Sequence, residues 1–223
     1  KSGSAAAAPT AVAGRRRYRG VDAGVRVEER RRQLLDAGLE CFGTHGYHAV
    51  TVRELCTCAQ LTERYFYESF RDREALFAAV YEDLTQRLRT DFVAAASSHA
   101  PDLRAMARAG LEVFYRQLKK DPRVARMLMV EVLTVSRDME QRAQQATFGF
   151  ADLLKQMTLA VLPRGQATAQ DMDLIATGLI GVCVHIAMRW VADGCRQPLA
   201  RVLDASMSFF LAILERLSRP QAR

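Results

Sequence analysis

The 223 residues are 49% hydrophobic and 26% charged, a balance that is typical of folded globular proteins and excludes a disordered or fibrous chain. A chain of this length can bury a proper core, in one large or two modest domains, without disulfides. The net charge of +7 favours an anionic partner such as nucleic acid. The five cysteines lack zinc-ribbon spacing and no secretion signal precedes them, so we expect reduced thiols and a cytoplasmic protein.

Residues 1–25 are predicted to form a flexible, basic N-terminal arm. The first 14 residues are small and without periodicity, and they lack the charge order of a signal peptide. Such an arm can reach into a DNA minor groove or lie along phosphates, although a tail that only aids solubility is an equally good interpretation. Its basic residues are Arg15, Arg16, Arg17 and Arg19.

The first amphipathic helix is predicted from Val27 to Thr44. Its apolar positions recur at helical spacing from Leu34 to Phe42, and Gly46 supplies a left-handed stop. In the link between this helix and the next, we expect Tyr47 to plug the core and His48 to lie near a phosphate.

A short helical hairpin is predicted from Thr51 to Phe70. Thr51 and Glu54 have the spacing of a capping box, and Thr62 can cap the second helix. The buried side of that helix carries Phe66 and Phe70. Its outward side is polar and comprises Glu63, Arg64, Tyr65, Tyr67 and Ser69. Such a surface suits the DNA major groove, but these residues alone favour an ordinary helical hairpin equally.

Only helices are predicted in the remainder of the chain. A long helix from Asp72 to about Ala96 bridges the hairpin to the helices after it. Further helices are predicted from Asp102, from Asp121-Pro122, and from Arg137 to Leu162, where Pro163-Arg164-Gly165 ends the pattern.

The last two predicted helices, Asp171 to Asp193 and Pro198 to Leu217, are apolar over most of their circumference. Leu174 to Ala192 approaches membrane-spanning length, but His185 and Arg189 interrupt it, so we expect a buried helix and no membrane partner. Pairing both helices with those of a second copy would bury the surplus, whereas a thicker monomeric core is the alternative. The expected interface residues are Leu179, Val182, Ile186, Val202, Phe209, Phe210 and Ile213.

From Val27 to Val80 the chain resembles the TetR family of bacterial transcriptional regulators. The resemblance rests on residues whose order and spacing match the family pattern: Phe42, Gly46-Tyr47, Thr51-Val52-Arg53-Glu54-Leu55, Ala59, Leu61-Thr62, Tyr67, Phe70 and Arg73-Glu74-Ala75-Leu76. It implies an all-α fold in which a three-helix helix-turn-helix domain (26–71) is joined by a long helix to a helical ligand-binding and dimerisation domain (72–218), with 219–223 as a tail.

The resemblance also implies roles for single residues. Thr51 and Tyr67 would bind phosphates, residues 62–65 would face base edges, and Arg73 would anchor a phosphate. The chain departs from the family pattern at Gln60, where a turn glycine is usual, at the pair Glu63-Arg64, at Ser69, and at Arg73, which replaces a lysine. The complete set of candidate DNA-binding residues is Arg15, Arg16, Arg17, Arg19, His48, Thr51, Arg53, Thr62, Glu63, Arg64, Tyr65, Tyr67, Ser69 and Arg73.

Catalytic chemistry is not indicated. The four histidines stand in unrelated contexts and suggest no nucleophile and base pair, so we expect no enzyme and no cofactor. Cys41 and His45 are four residues apart and Cys56 and Cys58 lie nearby, which allows a metal or redox site to be imagined, but burial of Cys56 between the hairpin helices explains it better and we expect no metal.

A ligand site is expected among the apolar, adaptable side chains of the middle and penultimate helices. The candidates are Met106, Phe114, Met127, Phe148, Met157, Cys183, His185 and Trp190. The leading hypothesis is a homodimeric repressor that binds operator DNA and is released by a hydrophobic or aromatic effector, with the long helix from Asp72 carrying the change. The alternative hypothesis is a helical small-molecule binding protein that does not recognise a DNA sequence.

Overall fold

The computed structural model describes residues 13–162 and 169–218, and side chains within 24–162 and 170–217. The described ranges contain α-helices, two 3-10 turns and no strand, which confirms the predicted all-α class. The helices are α1 Ala13–His45, α2 Val52–Ala59, α3 Glu63–Ser69, α4 Arg73–Ser97, α5 Leu103–Lys120, α6 Pro122–Met129, α7 Arg137–Val161, α8 Ala169–Ala192 and α9 Leu199–Ser218. The 3-10 turns are Tyr47–Ala49, after α1, and Glu131–Leu133, after α6.

Helix α1 begins earlier than the sequence predicts. Its backbone is helical from Ala13, whereas residues up to 25 were expected to form a flexible arm. The Arg-rich run lacks the turn residues that stop a helix, and arginine itself favours helix. The side chains of Arg15, Arg16, Arg17 and Arg19 lie outside the described residues.

Side-chain caps set the starts of α4, α5, α6 and α7 where the sequence places them. Asp72 accepts a hydrogen bond from the backbone N–H of Ala75, and Ser136 accepts one from Met139. Asp102 and Asp121 cap α5 and α6 in the same way. Each cap satisfies an amide that would otherwise lack a partner, which typically contributes about 1 kcal/mol.

One buried apolar cluster joins the first four helices to α6 and α7. Phe42 of α1, Phe66 of α3 and Phe77 of α4 are fully buried in it. Met127 of α6 and Met139 of α7 belong to the same cluster. The N-terminal helices therefore share their core with the C-terminal part of the chain.

A second cluster joins α5, α8 and α9 around Tyr115. The Tyr115 hydroxyl is 2.6 Å from the Ser206 hydroxyl and donates to the backbone carbonyl of Cys183 at 3.3 Å. Burial raises the pKa of this phenol above its ordinary value. A single buried hydroxyl thus bonds to residues of both α8 and α9.

Helix α8 is long and apolar enough to cross a membrane by length and composition, because an 18-residue stretch within Gln170–Ala192 has a mean hydropathy of 1.8. Only 28% of that stretch is buried within the single chain. The prediction of a buried helix is therefore correct for one face of α8, the face that packs on α5, α7 and α9.

Helices α4 and α5 pack closely where Gly110 faces the ring of Phe92. A Cβ at position 110 would lie 2.5 Å from that buried ring. We predict that Gly110→Ala lowers the free energy of unfolding by about 1–3 kcal/mol, because the ring must leave its packed position. Urea denaturation measures the change.

The matched control is Gly24→Ala in α1, where a Cβ meets nothing within 4 Å. This substitution should leave stability unchanged or raise it by up to about 1 kcal/mol through helix propensity. Equal effects at the two positions would contradict the packing of α4 on α5.

Candidate DNA-binding surface and ligand cavity

Helix α2 begins at the capping box that the sequence predicts. The Thr51 hydroxyl accepts from the Glu54 amide at 3.3 Å, and the Glu54 carboxylate accepts from the Thr51 amide at 2.7 Å. The hydrogen bonds that the Thr51 amide and hydroxyl donate to this carboxylate lower the pKa of Glu54. At the other end, Gln60 has the left-handed angles φ 56° and ψ 37°, so it adopts the conformation for which a glycine is usual.

Helix α3 has a buried apolar face and an exposed face of mostly polar side chains. Phe66 is completely buried, whereas the Tyr67 side chain is 56% exposed. Glu63 and Arg64 are also exposed, and Arg64 pairs with Glu68 at 3.0 Å. Thr62 is the N-cap residue but its side chain makes no capping hydrogen bond, so the prediction that its hydroxyl caps α3 is wrong and that hydroxyl is not used in capping.

Arginines of α1 hold the half-buried residues of α3 in place. The Arg30 guanidinium lies 4.5 Å from the centroid of the Tyr65 ring. Arg31 stacks on Phe70 at the same distance, and its Nη1 donates to the Ser69 carbonyl at 3.4 Å. The sequence predicts Tyr65 and Ser69 on the outward side of α3, whereas both are half-buried.

Two predicted phosphate contacts are also used inside the protein. The Arg73 guanidinium donates to the carbonyls of Tyr47 and Val50 and lies 5.0 Å from the centroid of the Tyr47 ring. The His48 Nε2 is 3.0 Å from the Thr134 carbonyl oxygen. Both side chains therefore secure the link between α1 and α2, and their contact with DNA stays a prediction.

The cysteines near the hairpin are not arranged as a metal site. The described residues contain no group of three or more His, Cys, Asp or Glu side chains that could hold a metal ion. Burial, with a contribution from neighbouring Cys58, raises the pKa of the Cys41 thiol to about 12, and burial raises that of Cys56. Both are poor thiolates, as expected of core cysteines.

An apolar cavity of about 190 Å³ lies in the C-terminal part of the chain, a size that takes an aromatic ring or a short run of methylene groups. No residue in its described lining is charged. Thr85 contributes a buried hydroxyl with no hydrogen-bond partner among the described residues. The lining comes from α4 to α8 and comprises Tyr81, Thr85, Leu88, Phe92, Leu111, Phe114, Leu128, Met129, Val132, Leu133, Ala143, Gln144, Ala146, Thr147, Phe150, Ile180, Cys183, Val184 and Met188.

Of the eight predicted ligand residues, only Phe114 and Cys183 line this cavity. The other six side chains lie on different faces of their helices and do not reach the cavity. Phe148 and His185 are exposed, and Met106, Met127, Met157 and Trp190 pack in the apolar clusters. The α4 residues Tyr81, Thr85, Leu88 and Phe92 were missed, although their spacing of three to four residues marks one helix face.

The predicted interface residues divide into two groups. Leu179, Val202 and Phe210 are buried in the core of their own chain, so their assignment to an interface is wrong. Phe209 is 49% exposed, and Val182, Ile186 and Ile213 are partly exposed. Leu174 of α8, which is 80% exposed, was not among the predicted residues.

A presented helix-turn-helix together with a charge-free cavity defines the class of ligand-responsive, DNA-binding transcriptional regulators. Residues 34–80 match the family described as bacterial regulatory proteins, tetR family. The HTH-type transcriptional repressor Rv1474c of Mycobacterium tuberculosis is 31% identical over 190 residues, which cover 78% of this chain and 89% of the relative. The chain belongs to the TetR family.

Solved structures share the fold. The fatty acid degradation regulator FadR from Bacillus halodurans superposes with a TM-score of 0.70 at 17% identity, over 86% of this chain and 98% of that one. FadR from Bacillus subtilis in complex with stearoyl-CoA superposes with a TM-score of 0.64 at 15% identity, over 79% and 95%.

The left-handed Gln60 leads to a test of the turn between α2 and α3. We predict that Gln60→Gly raises the free energy of unfolding by about 0.5–1 kcal/mol, because glycine adopts positive φ without the steric cost that a Cβ imposes. Gln60→Ala is the control and should not gain stability. A Gln60→Gly variant that unfolds at the same or a lower urea concentration would contradict the assigned backbone conformation.

Proposed function

We propose that the chain is a homodimeric transcriptional repressor that binds operator DNA through α3 and is released by an apolar effector. The observation that carries this proposal is that one chain has both an exposed polar face on α3 and a cavity, lined in part by α4, that contains no charged residue. A small-molecule binding protein without DNA recognition would need the cavity but not the presented helix. We further propose that the protein acts in the cytoplasm and catalyses no reaction.

The proposed DNA contacts rest on exposure and position. Tyr67 and Thr51 are exposed on the hairpin. The Tyr67 hydroxyl can donate to a phosphate, and the Thr51 hydroxyl, which donates to the Glu54 carboxylate at 2.8 Å, can turn to do so. Arg64 and Glu63, in the first turn of α3, can meet base edges in the major groove. Arg53 on α2 is exposed beside them. We propose that residues 26–71 form the DNA-binding unit and 72–218 the ligand-binding and dimerisation unit.

The proposed dimer interface is the apolar face that α8 and α9 leave uncovered in a single chain. Leu174 and Phe209 are large exposed side chains on this face. At Gly178 and Gly181 an added Cβ would meet nothing within 4 Å, so another helix can approach the backbone there. Two copies joined in this way would form a four-helix bundle and present two α3 helices to successive major grooves.

The proposed effector is a molecule with a hydrophobic chain or ring. A charged group would be unpaired in the cavity, which is costly in a low-dielectric site. Stearoyl-CoA in the Bacillus subtilis relative makes a long acyl chain a suitable first candidate, with Thr85 as a hydrogen-bond partner for a neutral polar group. Because the cavity holds only about 190 Å³, a longer chain must displace its walls, and the ligand then favours a conformation that differs from the empty one.

The DNA-binding proposal is tested with promoter DNA from beside the gene for this chain. We predict that wild-type protein prefers this DNA over a random duplex, and that Tyr67→Ala weakens binding by about tenfold through loss of a phosphate contact. Fluorescence anisotropy at two salt concentrations measures both effects. Phe148→Ala, at an exposed position of α7, is the control, and a wild-type protein without sequence preference would refute the proposal.

The dimer proposal is tested by placing a charge on the exposed apolar face. Leu174→Glu should shift the dimer dissociation constant upward by at least about a hundredfold, because a carboxylate buried in an apolar interface has no partner. Sedimentation equilibrium measures the shift. Phe148→Glu should leave the dimer intact, and a Leu174→Glu protein that associates like wild type would place the interface elsewhere.

A further inference from the structure

Glu131 occupies a buried position at the junction between the helix-turn-helix and the C-terminal part of the chain. Only 7% of this residue is exposed. One carboxylate oxygen accepts from the backbone N–H of Tyr47 at 2.8 Å, and the other accepts from Arg126 Nε at 2.8 Å. A buried carboxylate is tolerated when it is paired in this way, and losing a partner is costly, so the position of Tyr47 is coupled to that of Glu131.

Further hydrogen bonds and one close approach fix the link between α1 and α2 at the same junction. Arg126 Nη1 donates to the Thr44 carbonyl at 2.6 Å, next to the end of α1. The Tyr47 carbonyl accepts from Arg73 of α4 at 3.3 Å. At Gly46, where φ is +87°, a Cβ would lie 2.7 Å from the Arg126 guanidinium. The chain that leads into α2 is therefore positioned by Glu131 and Arg126 on one side and by Arg73 on the other.

The 3-10 turn Glu131–Leu133, which carries Glu131, forms part of the cavity wall. Leu128 and Met129 of α6 line the cavity immediately before Glu131, and Val132 and Leu133 line it immediately after. Val130, between α6 and the 3-10 turn, has the irregular angles φ −123° and ψ −63°, so the two segments do not form one continuous helix. A ligand that displaces Val132 or Leu133 moves the backbone that carries Glu131.

We infer that Glu131 is a positioning residue that transmits the occupancy of the cavity to the helix-turn-helix through the Tyr47 amide. This inference rests on the proposed regulator function and names its route. It adds a second route to the one predicted from the sequence, in which α4 carries the change. Helix α4 also contacts both sites, because Tyr81 and Leu88 line the cavity and Arg73 holds the Tyr47 carbonyl.

A double-mutant cycle on operator affinity separates these routes without an identified ligand. Thr147→Trp fills part of the cavity from α7, and Gln145→Trp places the same side chain at an exposed position of that helix. Both are made with and without Glu131→Met, which removes both carboxylate acceptors from a side chain of similar length, and circular dichroism verifies that all variants fold. A coupling that passes through Glu131 appears as a non-additive effect on the dissociation constant.

We expect Thr147→Trp to change the operator dissociation constant by about tenfold when Glu131 is present and by less than about twofold in the Glu131→Met background. Gln145→Trp should have no effect in either background. Equal effects of Thr147→Trp in both backgrounds would overturn the inference and leave α4 as the route, and no effect in either background would overturn it as well.

Hydrogen exchange at the Tyr47 amide keeps the test independent of DNA binding. Thr147→Trp should accelerate this exchange more than Gln145→Trp does, and the difference should vanish in the Glu131→Met background, where position 131 cannot accept the Tyr47 hydrogen bond. If no DNA sequence is preferred by the wild type, the regulator proposal fails, yet the exchange experiment still decides the role of Glu131. An unchanged Tyr47 amide in Thr147→Trp would overturn the inference.

Discussion

The helix-turn-helix shares its hydrophobic core with the domain behind it, and the rest of the structure depends on this packing. Phe42 and Phe77 contribute to one buried cluster together with Met127 and Val132. Short helices such as α2 and α3 cannot be stable alone in water, so their orientation is set by the residues against which they pack. The proposed boundary at residue 71 therefore divides the chain by function, while one hydrophobic core continues across it.

Polar groups at the same junction make the arrangement specific. Apolar packing is tolerant of small rotations, whereas a hydrogen bond to a buried carboxylate requires a defined distance and direction. The Glu131 carboxylate accepts such a bond from the Tyr47 amide. The Arg73 guanidinium donates a second directional hydrogen bond to the Tyr47 carbonyl. The hairpin begins at Thr51, a few residues after Tyr47, so a small displacement of Tyr47 moves α3 relative to the second α3 of the proposed dimer.

Local features of the fold are predictable from the sequence, and long-range ones are not. The capping box at Thr51 depends on neighbouring residues and is confirmed, and the left-handed Gln60 stands where the family pattern has a turn glycine. The cavity depends on how α7 and α8 are rotated, and an apolar surface on nearly all sides of α8 leaves that rotation undetermined. For the same reason Leu179 was expected at an interface and lies in the core. The role of Arg73 was missed because its partners are more than twenty residues away.

DNA and an apolar ligand are proposed to favour different conformations of the same dimer. Native mass spectrometry of the protein with operator DNA and stearoyl-CoA tests it most directly, because each assembly is counted by its mass. We expect dimers that carry DNA and dimers that carry ligand, with assemblies carrying both well below the statistical proportion. Assemblies that carry both at the proportion expected for independent binding would contradict the account.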